Sequence, residues 1–591
     1  MPGFCKGPLG RRARMNEGGL MLGEYGNRKV GLLGLFAGAG LIFATAMPEA
    51  AMAMKFKSGA FDIAIDTTLS ASAMVRTSPR NCAFISSTNP QGCASDGLTD
   101  NYDDGDLNFD RWDIVSAPLG GLTEIEVKSG DYGVFLRSSY FVDAILADRD
   151  STRRTDLSDT AVHREGRRIR LLDAYVYGEV PVGDMSMNVR LGNQVLNWGE
   201  SLFFGGGIAE TNSYDTSKLR GAGAEIKEAF LPAPMGLVQF SPFDGLDISA
   251  YYQVRWNPTE LDPVGTFFSQ EDIIGPGHQG IFYGPALGGI GDPGASGVPA
   301  DAQFLLGTAI PDVGGGEPRH SGQWGVSGRY FADALQTEFG LYYMRYHQKV
   351  PAVGVNAQCF GTPVDCYPMS YFLNYAEDQN LYGVTASYVW QGVSFGAEVA
   401  HQPGYAVPLA DPFTPAAIKA MEADPVTFLG GAREEGFARA NRTQTILNAI
   451  YISPPTDPVF GPLIRGLGMD DLTVMAEAAW THFDRKPAYT FGDVNAAGYV
   501  LDVTGSYQGV WGTPWVLYPG VSFKHDVRGT ALDYALTDTH IDGRKSITLR
   551  LTADYQSVWS IGVAYTNNFG GGMMNFASDR DFASVSVAYS F

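Results

Sequence analysis

The sequence predicts an all-β protein, a transmembrane antiparallel β-barrel of about 16 strands (range about 14–18) with short periplasmic turns and long extracellular loops. Three observations predict this fold. Segments alternate between apolar and polar residues, their connections alternate between short and long, and the final strand runs to the last residue, Phe591. The mean hydropathy of -0.07 does not suit a bundle of transmembrane helices.

The alternating segments are long enough to cross a bilayer. In "FDIAIDTTLSASAMVR" (61–76), apolar residues occupy most odd positions and polar residues most even ones. A typical globular strand has only about 5–6 residues, so this length favours a tilted membrane-spanning strand. Similar segments follow at 185–192, 247–256, 472–481, 546–555 and 559–566, whereas 123–141, 221–240 and 500–530 are ambiguous.

The connections fall into two classes. The short ones include "EVPVGD", "DGLD", "FADAL", "WQGVS" and "YQSVW". The long ones are rich in Gly, Pro and Asp: 77–106, 143–166, 257–321, 348–378, 403–440 and 484–497. Short turns at one end and long loops at the other are typical of outer-membrane barrels. The alternative, a soluble β-sandwich or propeller, would have shorter strands and more evenly spaced turns.

The last strand, "DFASVSVAYSF", carries Tyr589 and Phe591 on its apolar face. It is expected to close the barrel against the first strand, because an open backbone edge is not tolerated in lipid. Its terminal Phe resembles the signal by which the barrel assembly machinery recognises its substrates. We therefore expect that machinery and outer-membrane lipid as partners, and a location in the outer membrane of a Gram-negative bacterium.

The amino-terminal region predicts export. Arg28 and Lys29 precede an uncharged run to about Met47, and Ala51-Met52-Ala53 supplies a small-x-small cleavage site. We expect residues 1–53 to be a signal peptide, with Met15 and Met21 as alternative starts, and 54–591 to form one barrel domain. A retained membrane anchor is the alternative.

Four cysteines of the predicted mature chain form two local pairs, Cys82 with Cys93 and Cys359 with Cys366. Four cysteines allow three connectivities, and short separation favours these two. Export makes disulfides plausible, and reduced, buried cysteines are the alternative.

Charge and motifs exclude several functions. The net charge of -22 argues against a nucleic-acid partner. No H-E-x-x-H motif is present. His401 and His482, near strand ends, keep an outer-membrane hydrolase open as an alternative, although they are better interpreted as interfacial or loop residues. No catalytic residue and no cofactor is predicted.

The acidic segment "DGLTDNYDDGDLNFD" (96–110) is the one candidate for metal binding. It fails as a calcium-binding helix-loop-helix, because Tyr102 and Arg111 would occupy ligand positions. A weaker cation contact stays open for four aspartates: Asp100, Asp103, Asp104 and Asp106. A solvated acidic loop is the favoured interpretation, and no metal is predicted.

Polar side chains on the strands would be costly in lipid, so they are predicted to line the lumen as a structural network or a selectivity region. The candidates are Glu124, Glu126, Arg190, Gln194, Gln253, Arg255, Glu338, Glu398, Glu477, Arg550 and Asp554. A second set of residues, aromatic and near strand ends, predicts an apolar ligand pocket, with barrel-end packing as the alternative. It comprises Trp198, Phe203, Phe204, Trp256, Phe267 and Phe268.

One loop segment, "DPFTPAAIKAMEADP" (411–425), predicts a short helix with Thr414 as N-cap, Pro415 in its first turn and Pro425 as its stop. It is expected to lie in an outer loop. Its predicted role is to fold into the lumen as a constriction.

Several segments resemble the DUF1302 family of proteobacterial proteins over nearly the whole predicted mature chain. They are "DDGDLNF" (103–109), "RLGNQVLNWGESLFF" (190–204), "YYQVRWNPTELDPVGTFFSQED" (251–272), "QWGVSGRY" (323–330), "TEFGLYYMRYHQKVP" (337–351) and "YPGVSFKHDVRG" (518–529). The resemblance implies an outer-membrane location and a link to movement of hydrophobic compounds across the envelope.

The leading functional hypothesis is a passive, porin-like channel or transporter for hydrophobic or amphipathic small-molecule solutes, not an enzyme. A barrel of about 16 strands has a lumen wide enough for solutes. An outer-membrane lipid or ester hydrolase and a structural or receptor barrel stay open as alternatives.

Overall fold

A computed structural model describes residues 54–89, 100–183, 185–285, 288–362, 365–427, 429–537 and 539–591. Eighteen antiparallel strands in this part of the chain close a barrel. They are β1 Phe61–Arg76, β2 Pro118–Ser129, β3 Tyr132–Asp143, β4 Arg167–Val182, β5 Met185–Gln194, β6 Ala233–Phe243, β7 Leu246–Gln253, β8 Gln323–Ala332, β9 Thr337–Tyr346, β10 Gln379–Trp390, β11 Val393–Pro408, β12 Phe437–Ser453, β13 Asp471–Phe483, β14 Asn495–Ser506, β15 Trp515–Arg528, β16 Lys545–Tyr555, β17 Trp559–Phe569 and β18 Phe582–Ser590. None of the helices in these ranges is long and apolar enough to cross a membrane.

The first and last strands close the barrel. β1 pairs with β18 from Thr68 opposite Ser590 to Arg76 opposite Phe582. Beyond them, the backbone groups of Thr67 and Phe591 exchange hydrogen bonds of 2.8 and 2.9 Å. Two short strands, Met54–Ser58 and Ile114–Ser116, pair with the two ends of β1 and complete the 20-stranded sheet. The predicted closure is confirmed.

The predicted count of 16 strands is too low, although the predicted range includes 18. Of the ambiguous segments, 123–141 spans parts of β2 and β3, and 500–530 spans parts of β14 and β15. The third, 221–240, contains most of β6. Alternation is hard to follow there because Gly133 leaves a position of β3 without a side chain and Pro519 lies within β15. Just before the first of these segments, Gly120 in β2 is required by close packing, since a Cβ there would collide with the backbone of Tyr140 and Phe141.

The outer wall is apolar. Large side chains on the outward faces remain exposed in the isolated chain, among them Ile169 at 86%, Leu341 at 65% and Val389 at 63%. Such a continuous belt is stable only in contact with lipid, because soluble proteins rarely expose large apolar surfaces. The fold is therefore that of an outer-membrane barrel, and the predicted location is confirmed.

Connections at the two ends of the barrel differ in length. At the turn end, where β18 finishes, most are turns of a few residues, such as 130–131, 244–245 and 391–392. The longest connection there, 454–470, contains a helix, Gly461–Leu467. At the opposite end, the loop end, the nine connections range in length from 484–494 to 254–322, so none of them is a tight turn. The long connections recognised in the sequence include neither 195–232 nor 529–544.

The loops contain short elements of their own. Helical segments are Cys82–Phe84, Asp104–Leu107, Arg149–Ser151, Asp159–Ala161, Val162–Gly166, Gly207–Thr211, Thr216–Arg220, Ile226–Ala229, Pro293–Ser296, Ala300–Leu306, Phe413–Ala423, Tyr534–Thr537, Gly572–Met574 and Phe576–Asp579, and a turn-end one is Val510–Gly512. Extended segments are Ser213–Tyr214, Phe230–Leu231, Ile281–Phe282, Ala309–Ile310, Ala352–Cys359, Cys366–Asn374 and Gly431–Glu434.

The predicted loop helix is present as Phe413–Ala423 (α1), but its packing differs from the prediction. Its N-cap is Pro412, and the Asp411 side chain accepts hydrogen bonds from the N–H groups of Phe413 and Thr414 at 3.0 and 3.1 Å. α1 packs on a three-stranded sheet of Ala352–Cys359, Cys366–Asn374 and Gly431–Glu434 through buried alanines. α1 thus belongs to the packed segments at the loop end, here called the loop layer. A different segment enters the lumen.

The Cys359–Cys366 disulfide is confirmed, with an S–S distance of 2.03 Å, and it joins the first two strands of that sheet. Cys82 is also disulfide-bonded. Its predicted partner, Cys93, lies outside the described residues, so this pairing stays a prediction.

Candidate functional site

The segment 195–232, here called the inward loop, crosses the barrel. At one side, Ser72 on β1 donates a hydrogen bond to the Ala222 carbonyl at 2.6 Å. At the other side, Glu398 on β11 and Glu477 on β13 accept hydrogen bonds from its backbone. Because β1 and β11 are separated by about half the ring of strands, the inward loop spans the lumen from wall to wall.

Two buried wall carboxylates hold one end of the inward loop. Glu477 accepts hydrogen bonds from three consecutive N–H groups, those of Leu202, Phe203 and Phe204, at 2.5, 2.8 and 2.7 Å. Glu398 accepts from the N–H groups of Glu200 at 2.8 Å and Ile208 at 2.7 Å. Both side chains are 1% exposed. Glu477 also accepts a hydrogen bond from the Ser201 hydroxyl at 3.4 Å. These charge-assisted hydrogen bonds, nearly all from backbone donors, satisfy the two carboxylates.

Glycine is needed where the inward loop turns around Glu398. Gly206 and Gly207 have φ values of +83° and +63°, a region that disfavours side chains. A Cβ on Gly207 would also collide with Oε1 of Glu398. The run of three glycines at 205–207 therefore allows the backbone to approach the carboxylate.

Apolar packing fixes the part of the inward loop beside β6–β11. The Trp198 ring lies 5.3 Å from the ring of Tyr251 and 5.7 Å from that of Tyr342. The buried cluster around it comprises Leu196, Ile208, Ala233, Met235, Leu237, Tyr251, Tyr342, Met344, Tyr346, Leu381 and Ala400. Wall and loop side chains thus fill this side of the barrel.

The opposite part of the inward loop joins a charged network. Glu124 on β2 lies 2.6 Å from Nε of Arg137 and 3.1 Å from Nζ of Lys227, a residue of the inward loop. Arg137 also lies 2.6 Å from Asp173. The charges here are partly exposed to solvent, so this side of the lumen is polar and hydrated.

The remaining predicted lumen-lining residues have separate partners. Glu126 accepts a hydrogen bond from the Tyr177 hydroxyl, Gln194 donates to the Met235 carbonyl and Gln253 donates to the Arg255 carbonyl. Arg190 stacks on Tyr175, Glu338 lies 3.6 Å from Arg329, and Arg550 forms bonds of 2.7 and 2.6 Å with Asp502. Asp554 lies opposite Val516 and Ser560 in the sheet. Arg255 alone lies outside the strands, two residues after the end of β7.

The six aromatic residues predicted to form a pocket occupy several environments. Phe204 packs with Ile446, Ala479 and Val500, and Trp256 packs against Tyr375 with ring centres 4.7 Å apart. Phe267 and Phe268 belong to a cluster distant from Trp198, whereas Phe203 is 40% exposed. The structure does not bring the six side chains into one cluster.

Phe267 and Phe268 do line a cavity of about 80 Å³. It lies between β1–β3 and the inward loop, and polar groups of Ser72, Glu165 and Glu228 face it. The cavity is small compared with ligand pockets, which have volumes of about 300–1,000 Å³.

Two buried polar clusters join the loops at the loop end. In the first, Arg76 lies 2.9 Å from Asp106 and 3.2 Å from Asp579, and Arg580 lies 3.2 Å from Asp106. The guanidinium carbons of Arg76 and Arg580 each lie 5.6 Å from the Phe267 ring centre. Burial and, secondarily, the neighbouring Asp106 carboxylate together raise the pKa of Asp579 to about 7. Two cations and two carboxylates balance each other here.

The second cluster is predominantly acidic. Asp100, Asp103 and Asp104 are 1%, 0% and 8% exposed, so the prediction of a solvated acidic loop is wrong. Loops distant in sequence cover these residues, bringing Asp272 and Asp292 beside them. Burial raises the pKa of Asp103 to about 8, Arg154 lowers it, and Asp104 raises it further.

His401 and His482 lie among wall residues. Nδ1 of His401 is 2.9 Å from the Thr443 hydroxyl, and Nδ1 of His482 is 2.9 Å from Oδ1 of Asn495. His482 also stacks on Trp480. Neither histidine has a Ser or Asp side chain as a hydrogen-bond partner in the described ranges.

A closed 18-stranded barrel with an apolar outer wall and a loop fixed across its lumen defines the protein as an outer-membrane β-barrel. The chain belongs to the DUF1302 family, because the family model described as "Protein of unknown function (DUF1302)" matches residues 34–591. The resemblance identified in the sequence is confirmed. A comparison with curated proteins finds no match.

The solved structures that match this chain have low sequence identity to it. Pseudomonas aeruginosa OccK9 (OpdG) is 11% identical, with 90% of this chain and 98% of that chain covered and a TM-score of 0.39. A BenF-like porin from Pseudomonas fluorescens Pf-5 is 10% identical, with 90% and 98% covered and a TM-score of 0.39. The outer membrane channel DcaP of Acinetobacter baumannii is 9% identical, with 91% and 99% covered and a TM-score of 0.35. At these TM-scores we draw no functional conclusion from the likeness.

Proposed function

We propose that the protein is a passive outer-membrane channel whose permeation path is narrowed by the inward loop. The observation that carries this proposal is the attachment of one loop to both sides of the lumen, through Glu398 and Glu477 on one side and Ser72 on the other. A barrel of this strand number encloses a solute-sized lumen, and an inward loop restricts it.

Hydrophobic or amphipathic small molecules are the solutes that we propose. The inward loop exposes apolar side chains, with Ile226 at 75%, Leu219 at 56% and Phe203 at 40%. Exposed apolar area in a hydrated lumen is unfavourable by roughly 25 cal/mol per Å², so a solute with an apolar body would be stabilised there. The ion-paired Lys227 lies one residue from Ile226 and supplies a polar contact.

The polar strand residues complete the proposed path. In the register of the sheet, Glu124 lies opposite Arg137, Glu477 opposite Asn448 and Arg550 opposite Gly520. These positions lie on the same strand faces as residues that contact the inward loop. We propose that the predicted polar strand residues line the lumen, where paired charges form the structural network or selectivity region.

Export and assembly are part of the same proposal. Residues 1–53 would direct export, residues 54–591 would form the mature barrel, and the strand that carries Tyr589 and Phe591 would be recognised by the assembly machinery. Supporting this, Tyr589 is 6% exposed and packs on Trp559 with ring centres 4.6 Å apart.

The proposal is tested by a variant in which residues 199–228 are replaced by a short Gly-Ser linker. In planar bilayers we expect its single-channel conductance to exceed that of the wild type severalfold, because the loop no longer narrows the lumen. Replacing loop-layer residues 411–425 with the same linker is the control and should leave conductance nearly unchanged.

The solute class is tested in proteoliposomes with fatty acids, aromatic acids and sugars of similar size. Faster flux of the amphipathic compounds than of the sugars is expected. Equal conductance of the wild type and the loop-replaced variant would contradict the proposed constriction, and faster flux of sugars would contradict the proposed solute class.

A further inference from the structure

Three aspartates from two loops meet at the loop end of the barrel. Asp103 and Asp104 lie at the start of the helix Asp104–Leu107 in the β1–β2 loop, and Asp272 lies in the β7–β8 loop. One carboxylate oxygen from each lies within 4.8 Å of the other two. The three residues are 0%, 8% and 8% exposed.

Two of these carboxylates carry oxygens without a hydrogen-bond donor. Oδ1 of Asp103 and Oδ1 of Asp272 are buried and accept no hydrogen bond within the described part of the chain. Their other oxygens accept backbone N–H groups of Ser86 at 3.1 Å and Asp104 at 3.3 Å. An uncompensated buried carboxylate oxygen is costly, so these two oxygens indicate an absent positive partner.

Arg154 does not fill this role. Its Nη1 lies 2.5 Å from Oδ1 of Asp104, and its Nη2 lies 2.7 Å from Oδ1 of Asp292. Oδ1 of Asp103 is 3.8 Å away, beyond hydrogen-bond distance. Asp100 adds a further buried carboxylate whose Oδ2 accepts no hydrogen bond within the described ranges. The guanidinium is thus engaged by Asp104 and Asp292, and the group retains excess negative charge.

We infer that Asp103, Asp104 and Asp272 bind a Ca²⁺ ion. Oxygens bound to one Ca²⁺ at about 2.3–2.6 Å lie no more than about 5 Å apart, and the observed spread satisfies this limit. Carboxylates from an irregular loop assembly suit the flexible coordination of Ca²⁺ better than the near-ideal octahedron that Mg²⁺ requires. An all-oxygen set with no thiolate or imidazole also favours a hard cation over a transition metal.

The ion would fasten the β1–β2 loop to the β7–β8 loop. The second of these loops also contacts the inward loop, because Thr216 donates its backbone N–H to the Glu260 carbonyl at 3.0 Å and Arg220 pairs with Asp262. Bound Ca²⁺ would therefore stabilise the layer of loops above the constriction. This inference does not depend on the proposed transport function.

The test is calorimetric titration of CaCl₂ into the full-length, detergent-solubilised protein after EDTA treatment and removal of the chelator. We expect one Ca²⁺ per chain for the wild type and at least tenfold weaker binding for Asp272→Asn and Asp103→Asn. Asp301→Asn is the matched control, because Asp301 is an exposed aspartate of the same β7–β8 loop, and it should bind as the wild type does.

Thermal unfolding with and without CaCl₂ provides a readout that does not require tight binding. Without Ca²⁺, Asp272→Asn should be as stable as the wild type or more so, because repulsion is relieved and the Asn carbonyl can still accept the Asp104 N–H. With Ca²⁺, the wild type and Asp301→Asn should gain several degrees and Asp272→Asn should not. An equal Ca²⁺ response in wild type and Asp272→Asn would overturn the site, and MgCl₂ matching CaCl₂ would overturn its assignment to Ca²⁺.

Discussion

Buried carboxylates in two regions of the molecule are stabilised in different ways. In the lumen, Glu398 and Glu477 accept five backbone N–H groups from the inward loop. At the loop end, Asp103 and Asp272 each retain an oxygen with no hydrogen-bond donor in the described residues. The first arrangement is complete within the chain and acts as a clamp, whereas the second requires a cation. Burial alone therefore does not distinguish a structural carboxylate from a metal ligand. The hydrogen bonds that the carboxylate oxygens accept do distinguish them.

Glu477→Ala should have the largest effect, because it removes the acceptor of three N–H groups. Each buried donor left without an acceptor costs roughly 1–3 kcal/mol. We expect a clear loss of stability in urea unfolding, a large rise in single-channel conductance and faster proteolysis within the inward loop. Glu422→Ala is the control, since Glu422 is an exposed residue of α1 in the loop layer. Unchanged conductance in Glu477→Ala would show that this carboxylate does not clamp the loop.

Glu398→Ala should also lower stability and raise single-channel conductance, but less than Glu477→Ala does. Only two N–H groups, those of Glu200 and Ile208, lose their acceptor. The apolar packing of Trp198 would still hold part of the loop. Single-channel conductance and the midpoint of urea unfolding, measured for both variants, rank the two substitutions by the size of their effects. A larger effect for Glu398→Ala would reverse the assigned order of the two contacts.

Gly207→Ala separates backbone strain from the close approach to Glu398. The substitution places a side chain at a φ of +63°, which costs about 1–2 kcal/mol, and adds a collision with the carboxylate. Gly404→Ala is the matched control, with a φ of +61° and no atom within 4 Å of the new Cβ. Urea unfolding should show a larger loss of unfolding free energy for Gly207→Ala than for Gly404→Ala. Equal losses would show that the Glu398 side chain moves aside at no energetic cost.

Lys227→Ala should have the smallest effect on stability, under about 1 kcal/mol, because partly exposed ion pairs contribute little. Removing a cation from the proposed constriction should nevertheless shift the reversal potential toward greater cation selectivity, measured in a salt gradient. Lys419→Ala, on α1 in the loop layer, is the control. A reversal potential identical to that of the wild type would place Lys227 outside the permeation path.

The barrel itself could be predicted from the sequence because alternation reports which face of each strand meets lipid. Ile169 and Leu341, on outward faces, follow this pattern directly. The strand number could not be fixed because Gly133 carries no side chain to indicate a face and Pro519 is unusual inside a strand. The apolar pattern therefore predicts the fold class more securely than the number of strands.

The site could be predicted only in part. Glu398 and Glu477 were identifiable as polar residues on strand faces, but their partners are backbone N–H groups, which leave no mark in the sequence. The glycine run at 205–207 was a usable signal, since consecutive glycines often allow close backbone approach. The burial of Asp103 depends on Asp272 and its loop, about 170 positions away, and no local pattern encodes that contact.

The seam between β1 and β18 has a consequence for biogenesis. The hydroxyls of Thr68 and Ser590 lie 3.0 Å apart although 522 positions separate them in the chain. Contacts between such distant residues form slowly, since the entropy of closing the ring must be overcome before the last hydrogen bonds are made. Until that moment the sheet has two unpaired borders that can recruit other polypeptides. Closing this seam is therefore the step that removes the last unpaired backbone edge of the sheet.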